Sequence, residues 1–172
     1  MIDLHVHTNF SDGEADYKTI IDLAIKKGIT LIAITDHYDP FDIHLKNRDT
    51  TEEQLAQHFR NIKSYSSDKN IKVLCGIETC TDTYGKLRIS ESVKSMCELI
   101  ITSPHYVEFN GELKIGDYYN DDYWEAYKRK VLNMALGEGD ILGHCETYLP
   151  SKMMEMPGES TFAVVRKSRQ SS

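Results

Sequence analysis

The sequence has few of the features that mark secreted, membrane-bound or disulfide-stabilised proteins. Its 172 residues include only four cysteines and four prolines, and no two cysteines form a C-x-x-C pair. No stretch approaches the roughly 18 consecutive apolar residues that a membrane span requires. The N-terminus also lacks a basic start followed by an apolar run. We therefore expect reduced thiols, a cytoplasmic location and no membrane partner.

An excess of basic residues is also absent. Lys and Arg together number 20 against 27 Asp and Glu, which gives a formal net charge of −7. Proteins that bind extended nucleic acid normally present a basic surface, so this balance argues against such a partner. The negative charge does not exclude an enzyme that acts on anions, because bound metal ions reverse the local charge. The length suits one domain with its own core, and we predict a single domain over 1–172.

Short apolar strands alternate with amphipathic helices along the chain. This β-α-β-α order predicts an α/β fold with a parallel sheet or barrel. Gly28 is expected to end the first helix, and Thr50 with Glu53 has the spacing of a capping box that opens the second. Residues 157–172 are expected to form an edge element or a frayed tail. The predicted strands are 2–7, 30–37, 71–78, 98–105 and 140–145, and the helices are 17–27, 50–65, 90–97 and 120–136.

The first predicted strand carries two histidines on one face. Apolar and polar residues alternate from Ile2 to His7, so His5 and His7 point to the same side of the strand. A single histidine at a strand end is more often structural than a ligand. Two neighbouring imidazoles, however, are awkward in a packed core and useful around a cation. The pair favours a metal site, to which Asp12 in the following Ser-Asp-Gly turn is added as a candidate ligand.

The later strands also end in residues that bind metal ions. In parallel α/β folds the C-terminal strand ends form a common face, where active sites are built. Imidazole together with carboxylate suits zinc, manganese or iron. Glu78 is the predicted ligand that bridges two ions. Asp36 could equally hydrogen-bond to a ligand and orient it, so it is not included among the predicted ligands. His44 and His58 lie outside the pattern. The metal-binding strand ends are His5, His7, His37, Glu78, His105 and His144.

Five short motifs, read in order, resemble one known family. "DLHVHTNFSDG", "AITDH", "GIE", "SPH" and "DILGH" are similar to the motifs of the PHP (polymerase and histidinol phosphatase) family. The resemblance spans Ile2 to about Cys145. It implies a distorted (β/α)7-type barrel that holds up to three metal ions and hydrolyses phosphoesters. In such a site a metal-bridging hydroxide attacks phosphorus, and the ions neutralise the developing charge.

The resemblance also implies roles for individual residues. His5 and His7 would hold one ion, and Glu78 would bridge to a second ion. His105 and His144 would complete the second site. Asp12 and His37 would belong to the third. On this basis Glu78, His37 and Asp12 are the expected catalytic residues.

One element of the family pattern is missing. Family members carry an Asp-x-His element on a late strand, and here no histidine follows His144. We therefore expect a barrel that is incomplete at its C-terminal end. Either the polypeptide is truncated, or a partner chain supplies the missing ligands, or the third site is weak or empty. An open last strand would expose unpaired backbone groups, so a homo-oligomer is also predicted.

The leading functional prediction is a metal-dependent phosphoesterase that hydrolyses a small phosphomonoester, as histidinol phosphatases do. Two or three divalent ions of Zn, Mn or Fe are the expected cofactors. One alternative is a hydrolase that processes the ends of nucleotides or nucleic acids. An amidohydrolase-type enzyme also begins with H-x-H, but Glu78 at the bridging position favours the phosphoesterase. The remaining alternative is a non-catalytic or degraded metal-binding module.

Overall fold

The computed structural model describes residues 1–114 and 121–145 of the chain. They fall into two units. Unit 1 comprises Met1–Thr79 and Ile89–Ile101, and unit 2 comprises Cys80–Arg88 and the chain from Thr102 onward. The tail predicted at 157–172 lies outside the described residues. Among the residues that are described, no helix is long and apolar enough to cross a membrane.

Unit 1 alternates strands and helices, which confirms the predicted α/β class. Its strands lie side by side in the order β1-β2-β3-β4. The pairs β1–β2 and β2–β3 are parallel. The chain passes into unit 2 at the end of β4. The elements are β1 (Ile2–Val6), α1 (Tyr17–Lys26), β2 (Leu31–His37), α2 (Glu52–Ser66), β3 (Lys72–Thr79), α3 (Glu91–Met96) and β4 (Leu99–Thr102).

The centre of this sheet is apolar on both faces. Ile32, Ala33 and Ile34 of β2 are almost completely buried, as expected for a parallel strand covered on both sides. The helices contribute Ile21 from α1 and Leu55 from α2, both fully buried. Burying side chains of this size contributes roughly 1.5–3 kcal/mol each to folding. This core fixes the strands whose C-terminal ends carry the predicted ligands.

The helix ends of unit 1 confirm one sequence prediction and correct another. Gly28 follows α1 with a φ of 74°, the left-handed conformation that favours glycine at a helix end. The capping box predicted at Thr50 and Glu53 is wrong by one residue. Thr51 caps α2 instead: Gln54 N–H donates to Thr51 Oγ1, and Thr51 N–H donates to Gln54 Oε1.

Unit 2 contains a hairpin that the sequence analysis missed. Strands β5 (Val107–Phe109) and β6 (Glu112–Lys114) pair antiparallel. Asn110 and Gly111 join them with φ values of 52° and 80°. An Asn-Gly pair between short strands is a strong hairpin indicator, because both residues adopt positive φ readily. The indicator is present in the sequence, between the strand predicted over 98–105 and the helix predicted over 120–136, where the sequence analysis assigns no element.

The rest of unit 2 packs around α4 (Asp121–Leu136) and β7 (Ile141–Leu142). Tyr123, Tyr127 and Val131 of α4 form a buried cluster with Val107 and Cys145. Two predicted strands are shorter than expected. β4 ends at residue 102, just before a Ser-Pro pair, and proline has no N–H for a sheet. The strand predicted at 140–145 is reduced to β7.

Candidate metal centre

The two histidines of β1 converge on one atom. His5 Nε2 lies 3.0 Å and His7 Nε2 lies 2.9 Å from Glu78 Oε2. The two Nε2 atoms are 3.1 Å apart. Ligands of a tetrahedral zinc ion, at about 2.0–2.1 Å from the metal, lie about 3.3 Å from one another. The three atoms are therefore spaced much as the ligands of one small cation.

An irregularity in β1 accompanies this arrangement. Asp3 pairs with Ile32 of β2, but Val6 pairs with Ile34, so the register shifts between them. Bulges of this kind bend a strand and change the direction of its side chains, and they are common next to active sites. The shift falls on the segment that contains His5, directly before His7.

Glu78 is the last residue but one of β3 and is fully buried. The unbroken register of β2 and β3 places His37 directly opposite it, and His37 Nδ1 lies 3.4 Å from Glu78 Oε2. A buried carboxylate is stable only with charged or hydrogen-bonding partners. Imidazoles from two different strands therefore face the same carboxylate oxygen.

Asp12 joins the histidines from the loop after β1. Its Oδ1 lies 2.7 Å from His7 Nδ1, and its Oδ2 lies 3.5 Å from His37 Nε2. Each of the three residues offers a ligand atom within 4.8 Å of the others. Although partial burial opposes ionisation, hydrogen bonding by His7 and the charge of His37 hold the pKa of Asp12 below its usual value. Asp12 is thus kept as a carboxylate, the form that binds metal ions.

The environment of His7 is strongly anionic. Burial alone would lower its pKa, but hydrogen bonds with Glu78 and Asp12 raise that pKa to about 9. The two carboxylates therefore favour the cationic form of the imidazole. Glu78 faces Nε2 and Asp12 faces Nδ1, so a metal ion replacing the proton at Nε2 would lie against Glu78, and one at Nδ1 would lie against Asp12.

Asp36 precedes His37 and serves a different purpose. Its buried carboxylate accepts hydrogen bonds from Thr8 N–H (2.7 Å), Thr8 Oγ1 (2.8 Å), Ser11 Oγ (2.7 Å) and His58 Nε2 (2.9 Å). These donors outweigh the effect of burial and hold the pKa of Asp36 low. Both carboxylate oxygens accept hydrogen bonds from the loop or from α2, which suits Asp36 to orient the loop.

Unit 2 holds the two other predicted ligands. His105 is buried and His144 is exposed. Their ring centroids lie 5.6 Å apart, with the planes tilted by 30°. The structure thus brings these two histidines close to each other. Their assignment as ligands stays a prediction.

A family model described as the PHP domain matches residues 3–165, almost the whole chain. The chain belongs to the PHP domain family. This confirms the family that the sequence motifs indicate.

Two relatives place this PHP domain among known proteins. It is 30% identical over 104 residues to the DNA polymerase/3'-5' exonuclease PolX of Bacillus subtilis (strain 168). That match covers 60% of this chain and 18% of PolX. The fold is similar to that of histidinol phosphate phosphatase from Lactococcus lactis subsp. lactis, solved with zinc, L-histidinol and phosphate. There the TM-score is 0.63 at 19% identity, over 87% of this chain and 60% of the phosphatase chain.

Sequence reasoning missed one residue that lies beside the centre of this PHP domain. His58 on α2 lies outside the strand-end pattern, yet it is buried and bonded to Asp36. The helical spacing of α2 offers an indicator, because His58 follows Leu55 by three residues and precedes Ile62 by four. Both neighbours are buried, so a histidine on the same helix face requires a polar partner in the interior.

Proposed function

We propose that this PHP domain is a metal-dependent phosphomonoesterase that acts on a small phosphorylated substrate. The observation that carries the proposal is the convergence of His5, His7 and His37 on Oε2 of buried Glu78. Membership of the PHP family supports metal-dependent phosphoester hydrolysis in general. The narrower proposal concerns the size of the substrate and the residues that hold the metal ions.

The side chains fit divalent ions. Imidazole and carboxylate together suit Zn, Mn or Fe, and we propose two or three such ions. Ions held here would lower the pKa of a bound water and neutralise the charge on a phosphate ester. The chain's own contribution is to keep Asp12 ionised, to place Oε2 of buried Glu78 against the imidazoles and to orient these rings. The proposed ligands are His5, His7, Asp12, His37 and Glu78, together with His105 and His144.

Two observations support a small substrate. The phosphatase of similar fold was solved with L-histidinol and phosphate, which are small molecules. This chain carries a net charge of −7, and the affinity of proteins for extended nucleic acid depends largely on cationic contacts to phosphates. A phosphomonoester needs only the local positive charge of the metal centre. Histidinol phosphate is therefore the first substrate to test.

Glu78→Gln is the decisive variant, because it keeps the shape of the side chain and removes its charge. Even a residue that only supports a metal ligand contributes about 10–100-fold to metal affinity or activity. We therefore expect Glu78→Gln to lower phosphomonoesterase activity by more than about 100-fold and to lower the bound metal as well. Metal per chain is measured by elemental mass spectrometry on untagged protein, and activity by release of inorganic phosphate.

Glu53→Gln is the matched control, because this glutamate is largely exposed on α2, where it pairs with Arg60. It should leave metal content and activity unchanged. Retention of both properties by Glu78→Gln would contradict the role of Glu78. Metal binding by the wild-type chain without hydrolysis of any phosphomonoester would favour a non-catalytic metal-binding module.

Processing of nucleic-acid ends is the second candidate function. It is favoured by the 30% identity to the polymerase/3'-5' exonuclease PolX over 104 residues. A 5′-labelled oligonucleotide with a 3′-phosphate separates the two functions. Loss of the phosphate alone indicates a phosphomonoesterase, and progressive shortening of the strand indicates an exonuclease. Activity on the oligonucleotide far above that on small phosphomonoesters would overturn the first proposal.

A further inference from the structure

The turn after β1 is bonded to a buried carboxylate of β2. Asp36 Oδ1 accepts hydrogen bonds from Thr8 N–H and Ser11 Oγ, so it joins the two ends of the turn. Within the turn, the N–H groups of Ser11 and Gly13 both donate to Thr8 O. Asp12 lies between these two residues. The position of the Asp12 carboxylate therefore depends on how firmly Asp36 is held.

His58 bonds to the other oxygen of Asp36, Oδ2, which also accepts a hydrogen bond from Thr8 Oγ1. Its Nε2 lies 2.9 Å from Asp36 Oδ2, and the ring is buried with only 7% exposure. An ionised carboxylate only accepts hydrogen bonds, so Nε2 is the donor. The same ring stacks on Phe10 of the turn, with centroids 4.0 Å apart and planes 6° from parallel. His58 thus contacts the turn both by hydrogen bonding and by packing.

The turn leads directly into the metal centre. Asp12 lies within 2.7 Å of His7 Nδ1 and 3.5 Å of His37 Nε2. Asp36 and His37 are consecutive on β2, and consecutive side chains of a strand point to opposite faces. The strand therefore directs His37 to the centre and Asp36 to the turn. A shift of Asp36 would move the turn relative to His37.

We propose that His58 is a positioning residue that holds the Thr8–Ser11 turn through the Asp36 carboxylate and thereby places Asp12 against His7 and His37. This inference rests on the proposed metal centre. It adds to that centre a residue from a helix that carries no ligand. Partners behind metal ligands generally contribute about 10–100-fold to metal affinity.

Two variants of His58 separate hydrogen bonding from packing. His58→Gln keeps an N–H donor close to the position of Nε2 and loses the ring, whereas His58→Phe keeps a ring to stack on Phe10 and loses the donor. Zinc binding to metal-stripped protein is measured by isothermal titration. We expect His58→Phe to weaken the affinity of at least one zinc site by about 10–100-fold. His58→Gln should stay within a factor of a few of the wild type.

The opposite order, with His58→Gln weakened and His58→Phe unchanged, would show that packing alone matters and would overturn the inference. Equal losses in both variants would also overturn it. Ser11→Ala provides a further test that leaves α2 untouched: it removes a donor to Asp36 Oδ1, together with the 3.4 Å contact of the same hydroxyl with Asp12 Oδ1. It should weaken zinc binding in the same direction as His58→Phe.

Hydrogen exchange in the metal-free protein distinguishes failure of this inference from failure of the proposed function. The N–H groups of residues 8–13 should exchange faster in His58→Phe than in the wild type or in His58→Gln. Unchanged exchange in His58→Phe overturns the positioning role, whatever the metal does. A wild-type chain that binds no zinc overturns the proposed metal centre, and the exchange rates still decide whether His58 orders the turn.

Discussion

At the scale of single residues, the centre depends on one buried oxygen atom. Glu78 Oε2 is approached by nitrogen atoms of His5, His7 and His37. The order of motifs in the sequence is enough to nominate Glu78 as a bridge. The convergence itself depends on the register of three strands, which no local pattern specifies. The sequence therefore indicates which residues take part, but it does not indicate how their side chains are arranged.

Gly13 offers a test of how tightly the turn is packed. A Cβ atom at this position would lie 2.4 Å from His7 O and 2.7 Å from His7 C, far inside van der Waals contact. Overpacking of this kind costs about 1–3 kcal/mol. We expect Gly13→Ala to lower the free energy of unfolding by that amount and to weaken metal binding, because the backbone of His7 must move.

Chemical denaturation and zinc titration measure the two effects of Gly13→Ala. The neighbouring Glu14 is exposed, so Glu14→Ala is the matched control and should change neither quantity. A Gly13→Ala protein that is as stable as the wild type and binds zinc normally would show that the turn has room to relax.

At the scale of elements, the register of β2 and β3 is the critical feature. Their pairing runs without interruption from Leu31 opposite Lys72 to His37 opposite Glu78. A slip of one residue would turn every side chain of a strand to the other face. Such a slip is costly because it would separate the buried carboxylates of Asp36 and Glu78 from their partners, and a buried charge without a partner is strongly unfavourable. The core of unit 1 therefore holds the His37–Glu78 pair in place.

The start of α2 gives a prediction at this scale. Thr51 forms the capping box with Gln54, whereas Thr50 lies one residue before the cap. Replacing an N-cap threonine by alanine costs about 0.5–2 kcal/mol. We expect Thr51→Ala to lower the free energy of unfolding by about 1 kcal/mol and Thr50→Ala to leave it nearly unchanged. Urea denaturation of the two variants compares them directly, and equal effects would contradict the observed cap.

The elements also show which local signals the sequence carries. Alternation in β1 and the apolar run of β2 predict both strands closely, and Gly28 marks the end of α1. The cap of α2 was misplaced because Thr50 and Thr51 both fit the motif, and only backbone geometry separates them. The register shift in β1 has no local signature in the sequence. The polar partner of His58 lies 22 residues away, so no helix pattern identifies it.

At the scale of the whole molecule, the family and the α/β class were accessible from the sequence because they depend on the order of motifs and elements. The chain spans 60% of the phosphatase chain that it matches and 18% of PolX. What these larger proteins do therefore enters only as a proposal for this chain. The predicted homo-oligomer and the late metal ligands stay predictions.

Metal removal should affect the stability of the chain as well as its activity. A ligand that binds only the folded state stabilises it by RT ln(1 + [L]/Kd), about 2.7 kcal/mol at 100 times Kd. We expect zinc to raise the midpoint of thermal unfolding of the stripped protein in a concentration-dependent way. The Glu78→Gln variant should show a much smaller rise, whereas Glu53→Gln should match the wild type. Identical rises in all three proteins would place the bound zinc elsewhere.

Because His37 pairs with Glu78 across two strands, metal binding would report when these strands come together during folding. The two residues come from strands separated by α2, and they face each other only when β2 and β3 are in register. During refolding, an ion that requires both residues is captured only after this non-local pairing has formed. The appearance of bound metal in a stopped-flow experiment would thus time the assembly of the sheet, independently of the burial of aromatic side chains.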